Sequence, residues 1–159
     1  MSNEAAREDD TDRTSESTGD SLANGEIEVR LSPKSEYLPV LRAIVGVAAG
    51  ILSFNYDEIV QLRVAVSEAF ELAVGHPNVG EQAHGVGRVA VRLVLKSHEL
   101  EISVTGPGAL PGGVAGVGME SRALLESLLD EVDFDAGAGG QRVIRMVKRK
   151  SANEASGHG

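Results

Sequence analysis

Apolar and polar residues alternate at Ile27, Val29 and Leu31, the period of a half-buried strand. Ser32 and Pro33 end it. The apolar stretch from Tyr37 to Leu52 is too long and too rich in Ala and Leu for a strand. It reads as a helix with Pro39 in its first turn. Phe54 and Asn55 close that element, and Asp57 is the expected cap of a second helix from Glu58 to about Val74. Along it Ile59, Leu62, Val66, Ala69, Phe70 and Ala73 recur at helical spacing. His76, Pro77 and Asn78 end it. After a Gly-rich connection, Val89, Val91 and Val94 mark one strand and Leu100, Ile102 and Val104 the next, with a hairpin turn at Ser97 to Glu99. A loop dense in Gly and Pro, Gly106 to Gly118, leads to a third helix over about Glu120 to Glu131. That helix is expected to bury Leu124, Leu125, Leu128 and Leu129. Val132–Phe134 and Val143–Val147 supply the last strands. The order is strand, two helices, two strands, helix, two strands. It predicts an α+β fold with the helices on one face of a mostly antiparallel sheet.

Composition narrows this picture. The chain has 159 residues, 42% of them hydrophobic but only 3% aromatic, so aliphatic side chains must build the core. There is no cysteine, which excludes a disulfide framework and Cys-based metal sites. The four histidines, His76, His84, His98 and His158, have no metal spacing, and no metal site is expected. The net charge is −9, which argues against direct binding to nucleic acid. Residues 1–25 hold seven acidic and two basic side chains, a net −5 of that total. Such a segment buries too little to offset its ordering entropy and is expected to be a disordered acidic tail. Residues 150–159 read the same way, which leaves residues 26–149 as the domain. No apolar run reaches transmembrane length, and the opening MSNEAAREDD is the opposite of a signal peptide. The expectation is a cytoplasmic protein.

Tyr56-Asp57-Glu58-Ile59, followed by Leu62-Arg63-Val64-Ala65-Val66-Ser67-Glu68-Ala69, resembles the second helix of the RsbW and SpoIIAB type anti-sigma factors. These are members of the GHKL, or histidine-kinase-like, ATPase fold. Ser35-Glu36-Tyr37 with Arg42 resembles the start of the family's first helix. Leu100 to Val104 resembles the strand before its first glycine box. Leu124 to Val132 resembles its last helix, and Val143 to Lys148 its closing strand. The resemblance implies a two-layer GHKL (Bergerat-like) sandwich acting in partner switching, of the kind that controls stress-response transcription. Such a protein sequesters a sigma factor and is released by a STAS-domain anti-anti-sigma factor. The typical member dimerises and phosphorylates that antagonist on serine with Mg-ATP. Glu36, Tyr37 and Arg42 fall where the resemblance places the partner surface. A solvent-exposed role for Arg42 and a core role for Tyr37 stay open beside it.

The phosphoryl-transfer chemistry needs a carboxylate base, oxygen ligands for Mg²⁺ and a glycine lid over the nucleotide. In the family the base and a metal-binding Asn stand four residues apart on one helix. Here Glu68 matches the base, but the Asn position is Leu72. The family's adenine-binding Asp-x-Gly falls on Gly106-Pro107-Gly108, with Gly106 in place of the Asp. Gly116-Val117-Gly118 looks like the second glycine box but lies upstream of it; in strict register Met119 and Ser121 replace its glycines. The loss of the metal ligand and of the adenine acceptor would each cost about 1–3 kcal/mol. The expectation is therefore a protein that keeps the fold and the partner surfaces, with weak or absent kinase activity and no cofactor. The active serine kinase is the alternative. Glu68 then reads as a vestigial catalytic residue or a solvated one. Gly108, Gly116 and Gly118 read as nucleotide-binding glycines or as a remnant of the lid. The basic residues Arg142, Arg145, Lys148, Arg149 and Lys150 read as a solvated sheet face, or as an attraction for an acidic partner.

Overall fold

The computed structural model describes residues 24–75, 87–107 and 118–152. Strand β1 spans Glu26–Leu31. A single 3-10 turn, Ser35–Tyr37, leads into helix α1, Leu38–Ile51, with Pro39 in its first turn. Helix α2 follows at Tyr56–Val74. Strands β2, Val89–Leu95, and β3, Glu99–Gly106, form a hairpin. Helix α3, Met119–Leu128, precedes β4, Glu131–Ala136, and β5, Arg142–Arg149. The five strands form one antiparallel sheet in the order β1-β2-β3-β5-β4. The expected α+β class and element order are what the structure has.

One face of the sheet carries Val89, Val91, Leu93, Leu100, Ile102, Val104, Ile144 and Met146, all essentially buried. Leu41, Val45, Leu62, Val66, Phe70 and Leu125 close over them from the helices. Phe70 is the only aromatic ring among the fully buried side chains, so aliphatic packing supplies the hydrophobic stabilisation. Helix α2 lies over β3, with β5 and β2 to either side; α1 packs on one flank of α2 and α3, which meets β4, on the other. Arg122 of α3 stacks on Phe134 of β4 at 4.6 Å from the ring centre, a cation–π contact that ties the last helix to the edge strand. The opposite face of the sheet is polar. It is laced by ion pairs such as Glu26–Arg92 and Lys96–Glu101, which at this exposure contribute little to stability.

Three local expectations are corrected. Asn55, not Asp57, caps α2: its side chain accepts from the Glu58 N–H while Glu58 accepts from the Asn55 N–H, a reciprocal capping box. Helix α3 ends at Leu128, because the chain must turn extended at Leu129 to enter β4; Leu125 and Leu129 are buried, whereas Leu124 stays 38% exposed. The basic residues of β5 do not share one solvated face. Arg142 and Lys148 flank Ile144 and Met146 on the helix side, and Arg145 and Arg149 point outward. Lys148 Nζ there donates to Gln61 Oε1 and to the Leu128 carbonyl.

Glu58 also accepts the backbone N–H of Ser151 at 2.7 Å, which fastens the start of the C-terminal segment to the α2 cap. Burial pushes the Glu58 carboxyl up, but the hydrogen bonds from Ser151 and Asn55 and the nearby Lys148 outweigh it, and it titrates below the ordinary glutamate value. A carboxylate depressed in the folded state stabilises it above the ordinary value, and that contribution is lost as pH falls through the depressed one. Glu58→Gln should therefore cost about 1 kcal/mol near neutrality. Urea unfolding at a series of pH values should show the difference from the parent shrinking in acid; a difference that grows there would contradict the assignment.

Candidate functional site

The outward face of α2 repeats Val60, Val64, Ser67 and Glu71, spaced by four, three and four residues. Together with Arg42 of α1 and Arg63 and Glu68 of α2 these residues line a groove of about 430 Å³. Val60 and Val64 are 38% and 43% exposed, so the floor is apolar, and two arginines and two glutamates rim it. Arg42 Nε donates to Ser67 Oγ at 2.7 Å, and Ser67 Oγ donates to the Arg63 carbonyl at 2.8 Å. That chain fixes the Arg42 stem across the two helices. Among the described residues its terminal nitrogens make no hydrogen bond, which leaves them available to a partner's carboxylate or carbonyl.

Of the residues marked out in the sequence, Arg42 and Glu68 meet in this groove. Glu36 and Tyr37 lie in the 3-10 turn ahead of α1, exposed, and do not line it. Glu68 is held across the helices: Ser121 Oγ of α3 donates to its Oε1 at 2.5 Å. Gly118 is the N-cap residue of α3 and Met119 its exposed first residue. Gly108 and Gly116 lie outside the described residues.

Mg-ATP, which the resemblance implies, can be tested against the chain's own atoms. The Leu72 side chain is half-buried against the core, and its carbonyl accepts from Arg142 Nη1 at 2.5 Å. Arg142 stands directly opposite Gly106 across the β3–β5 pair. Its side chain therefore bridges the end of α2 at Leu72 and the end of β3 at Gly106, the two positions that the resemblance matches to the family's metal-binding Asn and adenine-binding Asp. Arg142 is 7% exposed, and its Nη2 has no partner among the described residues. Burial pulls its pKa down, and it still offers only donors, whereas the adenine amino group needs an acceptor and Mg²⁺ needs oxygen. Gly106 has no room for an acidic side chain, because a Cβ there would overlap the carbonyl oxygen of Ala73 and lie 2.7 Å from the Ala73 methyl. The described residues do not fit the nucleotide. They also contain no cluster of three acidic or histidine side chains able to hold a metal. Sequence reasoning put Arg142 on a solvated face and gave Arg63 no role; the two-residue spacing that sets Arg142 on the same side of β5 as Ile144 and Met146 was the available signal for the first.

No protein-family model matches the chain. A protein of Bacillus pumilus (strain SAFR-032) called serine-protein kinase RsbW is 31% identical over 133 residues, covering 71% of this chain and 80% of that protein. A protein of the same name from Bacillus licheniformis is 35% identical over 82 residues, covering 52% of this chain and 49% of its own length. Among solved structures, the RsbU and RsbW domains of Rv1364c from Mycobacterium tuberculosis superpose with a TM-score of 0.59 at 20% identity, over 79% of this chain and 32% of that one. No helix among the described residues is long and apolar enough to cross a membrane.

Proposed function

Because the chain belongs to the RsbW family of partner-switching anti-sigma factors, we propose that it sequesters an alternative sigma factor and is released by a STAS-domain antagonist, with weak or absent kinase activity. It acts in the cytoplasm as a homodimer, without touching nucleic acid. The observation that carries the reading is the pairing of an open groove at Arg42 with a closed nucleotide position at Leu72, Gly106 and Arg142. An apolar floor with a mixed-charge rim suits a helical or extended protein segment. The nucleotide position offers a leucine, a glycine without space and a buried cation. Release then comes from competition between partners, or from modification of the antagonist by another enzyme.

The relatives' name, serine-protein kinase, and the retained Glu68 favour a second reading, in which the antagonist is phosphorylated. It requires another oxygen ligand in place of Leu72. Glu71, one residue earlier, points roughly 100° away on the helix and lines the partner groove instead. Calorimetric titration of the full chain with Mg-ATP tests the choice. No saturable heat is expected at millimolar nucleotide, roughly the scale at which binding contributes only about 4 kcal/mol. Micromolar binding would restore the kinase reading.

A further inference from the structure

Two adjacent residues of α2 hold the helices on either side of it. Ser67 accepts from Arg42 Nε of α1, and Glu68 accepts from Ser121 Oγ of α3. A second bridge lies nearer the start of α2, where Lys148 Nζ donates both to Gln61 and to the Leu128 carbonyl of α3. The bridges Glu68–Ser121 and Gln61–Leu128 run α3 antiparallel to α2. Leu124, midway between the two anchors of its helix, therefore comes level with Val64 and Ala65.

Leu124 also faces outward on the α2 side. Arg122 marks the β4 side of α3 through its stacking on Phe134, and Leu125 points into the core, fully buried. Leu124 lies roughly 160° round the helix from Arg122. It is 38% exposed, as Val60 is, beside Val64 at 43%, so the apolar floor of the groove continues off α2 onto α3. The two borders of this floor carry opposite charge. Arg42 and Arg63 stand on the α1 side. Glu68 and the exposed Glu120, one turn before Leu124 on its own helix, stand on the α3 side. None of the four is in an ion pair among the described residues.

We propose that the capture surface runs across all three helices, with Leu124 as its α3 contact, and that its occupant is an amphipathic helix of the captured protein. That helix carries carboxylates along the edge over α1 and lysines or arginines along the edge over α3. The inference rests on the capture reading above and adds to it the α3 half and the occupant's chemistry. Width selects a helix. Arg42 and Leu124 belong to helices that flank α2, each packed about 8–10 Å from it. A helix with its side chains, about 10–12 Å across, reaches both; a single extended segment, about 5 Å wide in the plane of a sheet, reaches one. The row from Val60 to Glu71 is roughly 16 Å long, three helical turns. Opposite charges on the two borders then fix the direction in which the occupant lies. Ser121 is a positioning residue, which holds α3 so that Leu124 stays level with Val64.

Surface plasmon resonance of the full chain against the purified sigma subunit that it recovers tests this, with an unfolding midpoint for each variant. Leu124→Glu should weaken capture at least tenfold, and Glu126→Lys, roughly 160° away on α3, should leave it within about twofold. Glu120→Lys sets a like charge against the occupant's basic edge and should weaken capture about fivefold, more at low salt. Ser121→Ala should weaken it about threefold and add nothing to Leu124→Glu, through which it acts; Ser121→Thr keeps the hydroxyl and should match the parent. In the complex, hydrogen exchange should show new protection of one stretch of about eleven residues of the subunit, apolar at helical spacing. A folded Leu124→Glu with parent affinity, where Arg42→Glu has lost it, would overturn the α3 half and leave the groove standing. So would a loss confined to the STAS antagonist. Additive losses from Ser121→Ala and Leu124→Glu would overturn the role of Ser121. Tighter capture by Glu120→Lys, or a protected stretch of alternating apolar residues, would overturn the occupant. A parent that captures no sigma subunit would overturn the capture reading itself, and this surface with it.

Discussion

Replacing Gly106 by aspartate, the residue that the resemblance implies at this position for an adenine contact, should destabilise this protein by about 3 kcal/mol or more and should not create a nucleotide site. Helix α2 approaches the end of β3 so closely that a Cβ at Gly106 meets the Ala73 carbonyl and methyl. Backbone is what obstructs, so no rotamer change relieves it. A carboxylate forced in would also be buried, as Gly106 is. Arg142 lies opposite it, and a salt bridge between them would recover only part of the desolvation cost. Denaturant unfolding of Gly106→Asp, with Gly106→Ala beside it, measures the effect. A well-folded Gly106→Asp that binds Mg-ATP in the micromolar range would show that the glycine is a simple loss, and that the pocket around it is intact.

Arg42→Glu is the second large effect. Arg42 spans the two helices that form the groove, and Ser67 holds its stem in place. Charge reversal there should reduce capture of the sigma factor and of the STAS antagonist by at least about thirtyfold, near 2 kcal/mol. Stability should fall by no more than about 1 kcal/mol, since Ser67 keeps its own bond to the Arg63 carbonyl. Surface plasmon resonance with each partner, and an unfolding midpoint for the same variant, separate recognition from folding. Unchanged capture by a folded Arg42→Glu would move the partner surface elsewhere on the molecule.

Much of this molecule is legible in its sequence because periodicity and burial agree. The strand at Ile27, Val29 and Leu31 and the helical repeat from Ile59 to Ala73 emerge where their apolar spacing puts them. The cap of α2 was less legible, since Asp57 and Asn55 are both good capping residues; only the reciprocal bond from Glu58 decides between them. Leu124 and the end of α3 were misplaced because four leucines in six residues satisfy helical burial in more than one register. Arg142 was the costliest misreading. A charged side chain was assigned to solvent, although its place in the alternation with Ile144 and Met146 puts it on the core face. It is tolerated there by donating to a carbonyl at the end of α2, near the negative pole of the helix. The groove itself has no motif of its own. Val60, Val64 and Arg63 acquire a role only once α1 is packed alongside α2, a long-range fact that local spacing does not contain.

The central claim is that protein capture survives here without the nucleotide that the fold was built around. The most direct measurement is capture of sigma subunits by the nucleotide-stripped full chain, with and without Mg-ATP. Stable recovery of a sigma subunit, with the same dissociation constant in both conditions, is the expected result. Capture that appears only when Mg-ATP is supplied, or no sigma subunit under either condition, would contradict it.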